Sequence, residues 1–362
     1  MNEAARWELL FKRDDLAVSE VREVAAAELR PGEIELAVER LALTMNNVTY
    51  ARWGAVPPMN FWSAFPAADP LLGRLPVWGF VRVARSSHPD YSAGDRFFGY
   101  LPSSSHHVVR PAPAPQGFLD ATPGRYFAHP WYQTFQPAGA VDHRDDRRAL
   151  LRPIFPASFH VADFVVGRAG GDGLTVLITS ASSKVGIGIA HRLRSNANVR
   201  TIGLTAGNHA ELLIGLKLFD EVATYDELPA VPAGPVLCVD LTGDAQVLAA
   251  VHGTFGSGLM HTTLLGWTHG VPTDEPAAVD PPQLTAPTQE LFFTPAVESA
   301  TIAAEGADAF FARYHAAEDE FIEFTESWLT VTAGIGPEAV AAVFQSLAEG
   351  THAADEVTIL TP

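Results

Sequence analysis

The residues best placed to do chemistry lie between Leu174 and Ala190, which read Leu-Thr-Val-Leu-Ile-Thr-Ser-Ala-Ser-Ser-Lys-Val-Gly-Ile-Gly-Ile-Ala. A buried-strand pattern leads into small residues and then into a helical pattern. The paired phosphates of a dinucleotide need this order. Small residues let the backbone approach the pyrophosphate, and a helix N-terminus supplies N–H groups and partial positive charge. Ala181, Ser183 and Gly186 stand at the positions of a Gly-x-Gly-x-x-Gly fingerprint, which is therefore degenerate here. A strand, a small turn and a helix also occur in α/β folds that bind no dinucleotide. The candidate phosphate contacts are Ser180, Ala181, Ser182, Ser183, Lys184, Val185 and Gly186.

The next strand bears on which dinucleotide fits. A site for NAD places Asp or Glu about 20 residues on, where it holds the ribose hydroxyls. Here the strand ends Gly203-Leu204-Thr205-Ala206-Gly207-Asn208-His209, and no carboxylate follows until Glu211. Lys184, with Asn208 or His209, could hold a 2′-phosphate, which favours NADP(H). The alternative for Lys184 is a solvated side chain on a surface turn. Two later strands end Asp240-Leu241-Thr242-Gly243 and Leu265-Gly266-Trp267-Thr268-His269-Gly270. Ligands bind at the carboxyl ends of parallel strands, although such ends are also ordinary turns. Thr205, Leu241, Thr242, Gly266, Thr268, Phe292 and Phe293 complete the candidate cofactor set.

These residues need a scaffold, and the chain supplies an alternating one. Strands are expected at Leu174 to Thr179, Val199 to Leu204, Val222 to Thr224, Val236 to Asp240 and Gly258 to Leu265. Helices are expected at Val185 to Ser195, Ala210 to Leu218 and Ala245 to His252. Strands alternating with helices predict a doubly wound parallel sheet. Residues 1 to about 110 read as mainly β, with strands at Ile34 to Val38, Pro76 to Ala84 and Arg96 to Leu101. Residues 111–157 are rich in proline and aromatic side chains and carry a charge run from Asp142 to Arg148. That stretch is either a lid over a site or an irregular packed loop. Past Pro295 the pattern is helical at Ala307 to Trp328 and Pro337 to Glu349, with a closing strand at Val357 to Leu360.

Composition narrows the partners. The chain has 362 residues and 47% hydrophobic content, enough for two domains. Its net charge of −18 repels phosphate backbones and anionic lipid, so neither nucleic acid nor a membrane surface is an expected partner. Cys238 is the only cysteine; it sits in an apolar run and is expected to be a core thiol. One thiol supports neither an internal disulfide nor a thiolate-rich zinc site. No stretch has the pattern of a signal peptide or the roughly 20 apolar residues of a membrane helix, so a cytoplasmic location is expected.

Several segments, in order, resemble the medium-chain dehydrogenase/reductase superfamily, in particular its zinc-free, quinone oxidoreductase-like branch. Pro31-Gly32-Glu33-Ile34 is similar to an early turn and strand of that branch. Asn46, Tyr50, Arg52 and Gly54 fall in an N-x-x-x-Y-x-R-x-G stretch, and Ala93 to Gly99 resembles its x-G-D-R-V-x-G strand. Ser180 to Gly186 is similar to its A-S-S-x-V-G turn, and Gly350 to Leu360 to its closing strand. The likeness runs nearly end to end. The zinc cysteine and the four-cysteine lobe are missing, and residues 111–157 differ in length and kind. In that respect the chain resembles a bacterial family of the superfamily for which no reaction is implied.

The resemblance implies a GroES-like catalytic domain, split between residues 1–157 and 296–362, and a Rossmann domain over 158–295, with the active site in the cleft. It implies a homodimer and a small-molecule substrate. It would bring Asn46, Asn47, Thr49 and Tyr50 to the nicotinamide and substrate. Without a metal, charge developing on a carbonyl or enolate needs another electrophile. Tyr50 is the candidate acid and Asn46 or Asn47 the candidate donor. The alternative is that Tyr50 anchors a loop and the asparagines support a turn. The histidines show no metal-binding spacing, and there is no G-x-S-x-G nucleophile elbow. The expected function is a zinc-independent, NADP(H)-dependent reductase of an activated carbonyl, enone or quinone. The alternatives are an NADPH-binding protein without turnover and a zinc-free ketoreductase or alcohol dehydrogenase.

Overall fold

Leu174–Thr179 is buried at every position, as a strand covered on both faces must be. It lies inside one of two units into which the chain divides: Met1–Pro153 with Leu329–Pro362, and Ile154–Trp328. The computed structural model describes residues 6–171, 173–266 and 288–362.

In chain order the first unit contributes β1 (Trp7–Lys12), β2 (Asp15–Glu23), β3 (Ile34–Ala42), α1 (Met45–Arg52), β4 (Leu72–Arg74), β5 (Pro76–Ser86), β6 (Arg96–Pro102) and β7 (His106–Val109). It continues with β8 (Pro111–Pro113), β9 (Phe118–Asp120), β10 (Thr134–Pro137) and α2 (Asp145–Leu151). The second unit holds α3 (Phe155–Arg168), β11 (Leu174–Thr179), α4 (Lys184–Leu193), β12 (Val199–Thr205), α5 (Ala210–Leu216), β13 (Glu221–Thr224) and β14 (Val236–Asp240). It ends with α6 (Ala245–Phe255), β15 (Leu259–Leu264), β16 (Thr288–Leu291), α7 (Thr294–Glu305) and α8 (Ala307–Thr325). The chain returns to the first unit with β17 (Thr330–Ile335), α9 (Gly336–Ala348) and β18 (Glu356–Thr361).

The first unit is built on a sheet ordered β17-β18-β3-β5-β6-β10-β9-β8, with β7 also paired to β3, and a smaller sheet β2-β1-β4. Its core gathers Leu9, Phe11, Leu36, Val77, Val81, Leu101, Phe118, Phe135 and Phe344. β3 does not keep the alternation expected of Ile34 to Val38. Its pairing with β5 shifts at Glu35/Leu36 and at Val38/Arg40. The inward-facing Glu35 is held by Arg6 at 3.0 Å and Arg85 at 2.7 Å.

The proline-rich and aromatic stretch is a packed part of this sheet. β8, β9 and β10 extend it past β6, and Phe118 stacks on Phe135 at 4.7 Å. Gly117 makes the turn possible: its φ is +67°, and a Cβ would fall 1.8 Å from the Phe135 carbonyl oxygen. Arg125 ties the stretch down by bonding Asp120, the His107 imidazole at 2.9 Å and the Val108 carbonyl at 2.8 Å. The charge run is likewise engaged, since Arg148 pairs with Asp142 at 2.9 Å and Arg96 with Asp145 at 2.8 Å.

The second unit is a six-stranded sheet ordered β13-β12-β11-β14-β15-β16, and every pairing in it is parallel. Strand order therefore runs outward in both directions from β11 and β14. Cys238 is fully buried in its core beside Leu177 and Val251. Residues 296–328, placed by sequence with the catalytic part, pack in this unit. The reason is their aromatic face: Phe321 stacks on Phe155 at 5.3 Å and Tyr314 meets Phe159 at 5.2 Å. Among the described residues no single helix is long and apolar enough to cross a membrane.

Two packing predictions follow from these cores. Phe344 is fully buried and meets Phe11 at 4.6 Å, so Phe344→Ala should cost about 3–5 kcal/mol in a urea titration. His191 lies between Phe321 and Phe324, where burial and the Arg194 charge hold its pKa down to about 4. The unfolded chain takes that proton near pH 6.5, whereas the folded chain does so only near pH 4. Stability is therefore lost as pH falls between those values. His191→Leu should lose less stability than wild type between pH 7 and pH 5, measured by urea midpoints.

Candidate functional site

The turn after β11 is built by its neighbours. Ser180 adopts a left-handed conformation with φ +46°, and its N–H is bonded to the Tyr225 hydroxyl at 2.8 Å. Ala181 N–H bonds the Leu204 carbonyl at 3.1 Å, which pulls the turn against β12. The Ser182 hydroxyl accepts from Thr205 at 3.0 Å. Ser183 caps α4, its hydroxyl taking the Gly186 N–H at 3.1 Å. A Cβ at Gly186 would lie 2.8 Å from the Ala181 carbonyl oxygen, so only glycine lets helix and turn approach this closely. α4 opens at Lys184 and Val185, where backbone N–H groups have no earlier helical carbonyl.

Asp240, at the end of β14, locks the same edge. Its fully buried carboxylate accepts from the Thr179 hydroxyl at 2.6 Å, the Thr242 hydroxyl at 2.7 Å and the Gly243 N–H at 2.9 Å. Thr179 in turn accepts the Leu241 N–H at 2.9 Å. A Cβ at Gly266 would lie 3.0 Å from the Leu241 carbonyl oxygen, so β15 ends tight against β14. Ser180 to Gly186, Thr205, Leu241, Thr242 and Gly266 thus share the carboxyl edge of β11, β12, β14 and β15. Asn208 and His209 sit just past β12 in a 3₁₀ turn, with no carboxylate at the strand end. Phe292 packs on Phe164 at 5.6 Å, beyond β16, and Phe293 stands at the N-terminal boundary of α7. Thr268 lies outside the described residues. Tyr225, Thr179 and Asp240 were not picked from the sequence as site residues. For Asp240 a signal existed, a buried apolar run ending in a carboxylate.

In the first unit, α1 sorts the four candidates. Thr44 and Asn47 form a reciprocal capping box, and Asn47 Nδ2 also bonds the Pro76 carbonyl at 3.0 Å. The Thr49 hydroxyl donates to the Met45 carbonyl at 3.2 Å. Both side chains therefore serve the helix. Asn46 and Tyr50, one turn apart, meet: Asn46 Nδ2 donates to the Tyr50 oxygen at 2.7 Å. Trp78 Nε1 donates to the same oxygen at 3.1 Å, and the Tyr132 ring meets that of Tyr50 edge-on at 6.2 Å.

Trp78 and Tyr100 are paired across β5 and β6, and their rings lie 4.9 Å apart. Tyr132 comes from the 3₁₀ turn Pro130–Gln133, whose neighbour Trp131 packs on Trp78 at 4.9 Å. Burial pushes the phenols of Tyr50, Tyr100 and Tyr132 above their ordinary range, so all three keep their protons. Trp78, Tyr100 and Tyr132 escaped the sequence as partners of Tyr50, because no one-dimensional pattern links them to α1. Among the described residues no group of three or more His, Cys, Asp or Glu side chains is arranged to hold a metal ion.

These units define a fold class. The chain aligns with the crystal structure of CurA from Vibrio vulnificus in complex with NADPH at TM-score 0.61 and 14% identity, covering 98% of both chains. It aligns with a putative NADPH:quinone reductase from Bacillus thuringiensis at TM-score 0.59 and 13% identity, covering 99% of this chain and 100% of that one. The yhdH oxidoreductase of Salmonella enterica, in complex with NADP, gives TM-score 0.57 and 14% identity, covering 98% and 99%. The fold is that of these structures, with a Rossmann unit and a GroES-like β unit. No curated protein sequence matches the chain. A family model described as "Protein of unknown function (DUF2855)" matches residues 41–353, and the chain belongs to that family.

The tight turn makes a stability test. Gly186→Ala should lower stability by about 1–3 kcal/mol despite alanine's better helix propensity. Gly253→Ala, also in a helix but with nothing within 4 Å of its Cβ, should instead raise it by about 0.5–1 kcal/mol. Paired urea titrations compare the two.

Proposed function

We propose that the protein is a zinc-independent, NADP(H)-dependent reductase of an activated carbonyl, enone or quinone. The observation that carries this is the turn between β11 and α4. Its small residues, the Gly186 contact and the opening of α4 suit a pyrophosphate at the point where strand order reverses. Lys184, Asn208 and His209 would hold the 2′-phosphate, where an NAD site would carry a carboxylate. Ser182 and Thr205 would line the same edge, with Leu241, Thr242 and Gly266 beside them. Structures of the same fold were obtained with NADPH or NADP, and one is described as a putative NADPH:quinone reductase, which supports the reading.

When bound, NADPH supplies a hydride, and the chain's own residues position the reactants and supply the proton. The proton would come from the phenols around Tyr50, which burial keeps neutral. The single cysteine, Cys238, is buried in the Rossmann core, which supports chemistry without a thiolate-bound zinc.

Titration calorimetry and thermal shift test the cofactor. NADPH should stabilise the protein more than NADH. Lys184→Ala should weaken NADPH about five- to tenfold and leave NADH within about twofold. Equal losses would remove Lys184 from the site, and no affinity for either nucleotide would overturn the proposal. NADPH oxidation with quinones, enones and simple ketones then tests turnover. NADPH binding without oxidation of any of them would leave a binding protein.

A further inference from the structure

β2 is the outermost strand of the sheet β2-β1-β4, and among the described residues no strand pairs with its other side. Its register with β1 sets Arg22 opposite Glu8, Val21 opposite Leu9 and Glu20 opposite Leu10. Just past β2, the Val24 N–H bonds the Arg6 carbonyl at 2.9 Å. An antiparallel ladder alternates, so Arg22 and Glu20 also turn their backbone groups toward β1, while those of Ser19, Val21 and Glu23 point away from it. β1 follows the same alternation: Leu9 sends its N–H the other way, to the Ser103 carbonyl at 2.8 Å. An open edge of this kind is a template for another strand, and natural proteins blunt it with proline, lysine or a cover. β2 contains neither proline nor lysine.

The side chains along that edge are the second observation. Val18, Val21 and Val24 are 49%, 42% and 39% exposed, although valine is a residue of protein interiors. They are evenly spaced in the segment Val18-Ser19-Glu20-Val21-Arg22-Glu23-Val24. Two copies of this segment, laid antiparallel about Val21, match. Val18 faces the partner's Val24, Glu20 faces the partner's Arg22, and Val21 faces the partner's Val21. Ser19, Val21 and Glu23, whose N–H and C=O point outward, fall at the hydrogen-bonded positions of such a pairing. The neighbouring registers that keep those groups paired do not match. An axis at Glu20 or at Arg22 sets like charges face to face, and an axis at Ser19 sets Asp15 against the partner's Glu23. Like charges directly opposite one another destabilise a strand pair, so the charges select the register at Val21.

We propose that a second copy of this chain pairs its β2 antiparallel with this one across a twofold axis at Val21. The two sheets β2-β1-β4 then become one continuous sheet through the dimer. The interface is isologous, so every contact away from the axis occurs twice. Backbone hydrogen bonds and the covered valines supply the affinity, and the exposed Glu20–Arg22 cross-pairs fix the register. A single strand from each copy makes a small interface, so the dimer is weak, with a Kd of roughly 1–100 µM. The pairing does not depend on the reductase function proposed above.

Sedimentation velocity on the full chain, from about 1 to about 300 µM, brackets that Kd. Wild type should pass from monomer to dimer within the range. Glu20→Arg places like charges in both cross-pairs, and Arg22→Glu does the same with the opposite sign. Each should weaken the dimer about tenfold or more. Mixing the two variants one to one should restore it, because each copy then meets the opposite charge. Neither chain regains its own Glu20–Arg22 ion pair in that mixture, so recovery reports the contact between copies alone. The double variant Glu20→Arg with Arg22→Glu should dimerise like wild type. Thermal melting checks the fold; if a single variant does not fold, the double variant and Val21→Lys, which sets two ammonium groups at the axis and should weaken the dimer, still decide. A wild type that stays monomeric throughout overturns the proposal. So does a dimer indifferent to Glu20→Arg, Arg22→Glu and Val21→Lys, which would place the contact elsewhere, and so does a mixture that fails to recover.

Discussion

The buried carboxylate of Asp240 holds the carboxyl edge of the parallel sheet together. A charge taken out of water costs several kcal/mol unless donors replace the water. Here hydroxyls from Thr179 and Thr242 and the Gly243 N–H replace it. Because Thr179 ends β11 and Asp240 ends β14, this one group fixes the two strands from which the sheet winds in opposite directions. The turn from Ser180 to Gly186 springs from that fixed edge. Its left-handed Ser180 and the close Gly186 contact persist because β12, Tyr225 and the α4 cap hold them from three sides.

The first unit solves a different problem with the same physics. Its polar atoms are phenols and N–H groups inside an aromatic shell, where hydrogen bonds are stronger than in water and unpaired groups are costly. The capping box and the Thr49 back-bond stabilise α1, and that leaves Asn46 and Tyr50 to face Trp78 and Tyr132. The stretch after β7 is part of this arrangement. It brings Tyr132 and Trp131 to the cluster on a short turn, anchored through Arg125 and by the added strands. A packed extension of the sheet, and not a loose loop, is what such precise placement of a hydroxyl requires.

The chemistry was divided unevenly between sequence and fold. The phosphate turn was legible because it is local: strand, small residues and helix cap follow one another along the chain. β11 and β14 appear at the residues their apolar runs predicted, since strands buried on both faces carry unbroken apolar sequence. α1 and α3 were not foreseen. α1 has weak apolar periodicity and is nucleated by its Thr44 cap. α3 is apolar on most of its surface, so its face cannot be read from period alone. The boundary before α7 was also misplaced, because the aromatic face of α8 declares its partner only when Phe155 and Phe159 are in place.

By itself the sequence determined the parallel α/β core, the β-rich first unit, the buried thiol and the Ser180–Gly186 turn. Each rests on interactions between residues near one another in the chain. Only the tertiary structure decided that Asn47 and Thr49 serve the helix while Asn46 and Tyr50 face the phenols. It alone joined Trp78 to Tyr50, 28 residues apart, and set Tyr132 and Tyr100 beside them. The pairing of Trp78 with Tyr100 follows from sheet register, and register is settled by the whole core and not by any one segment.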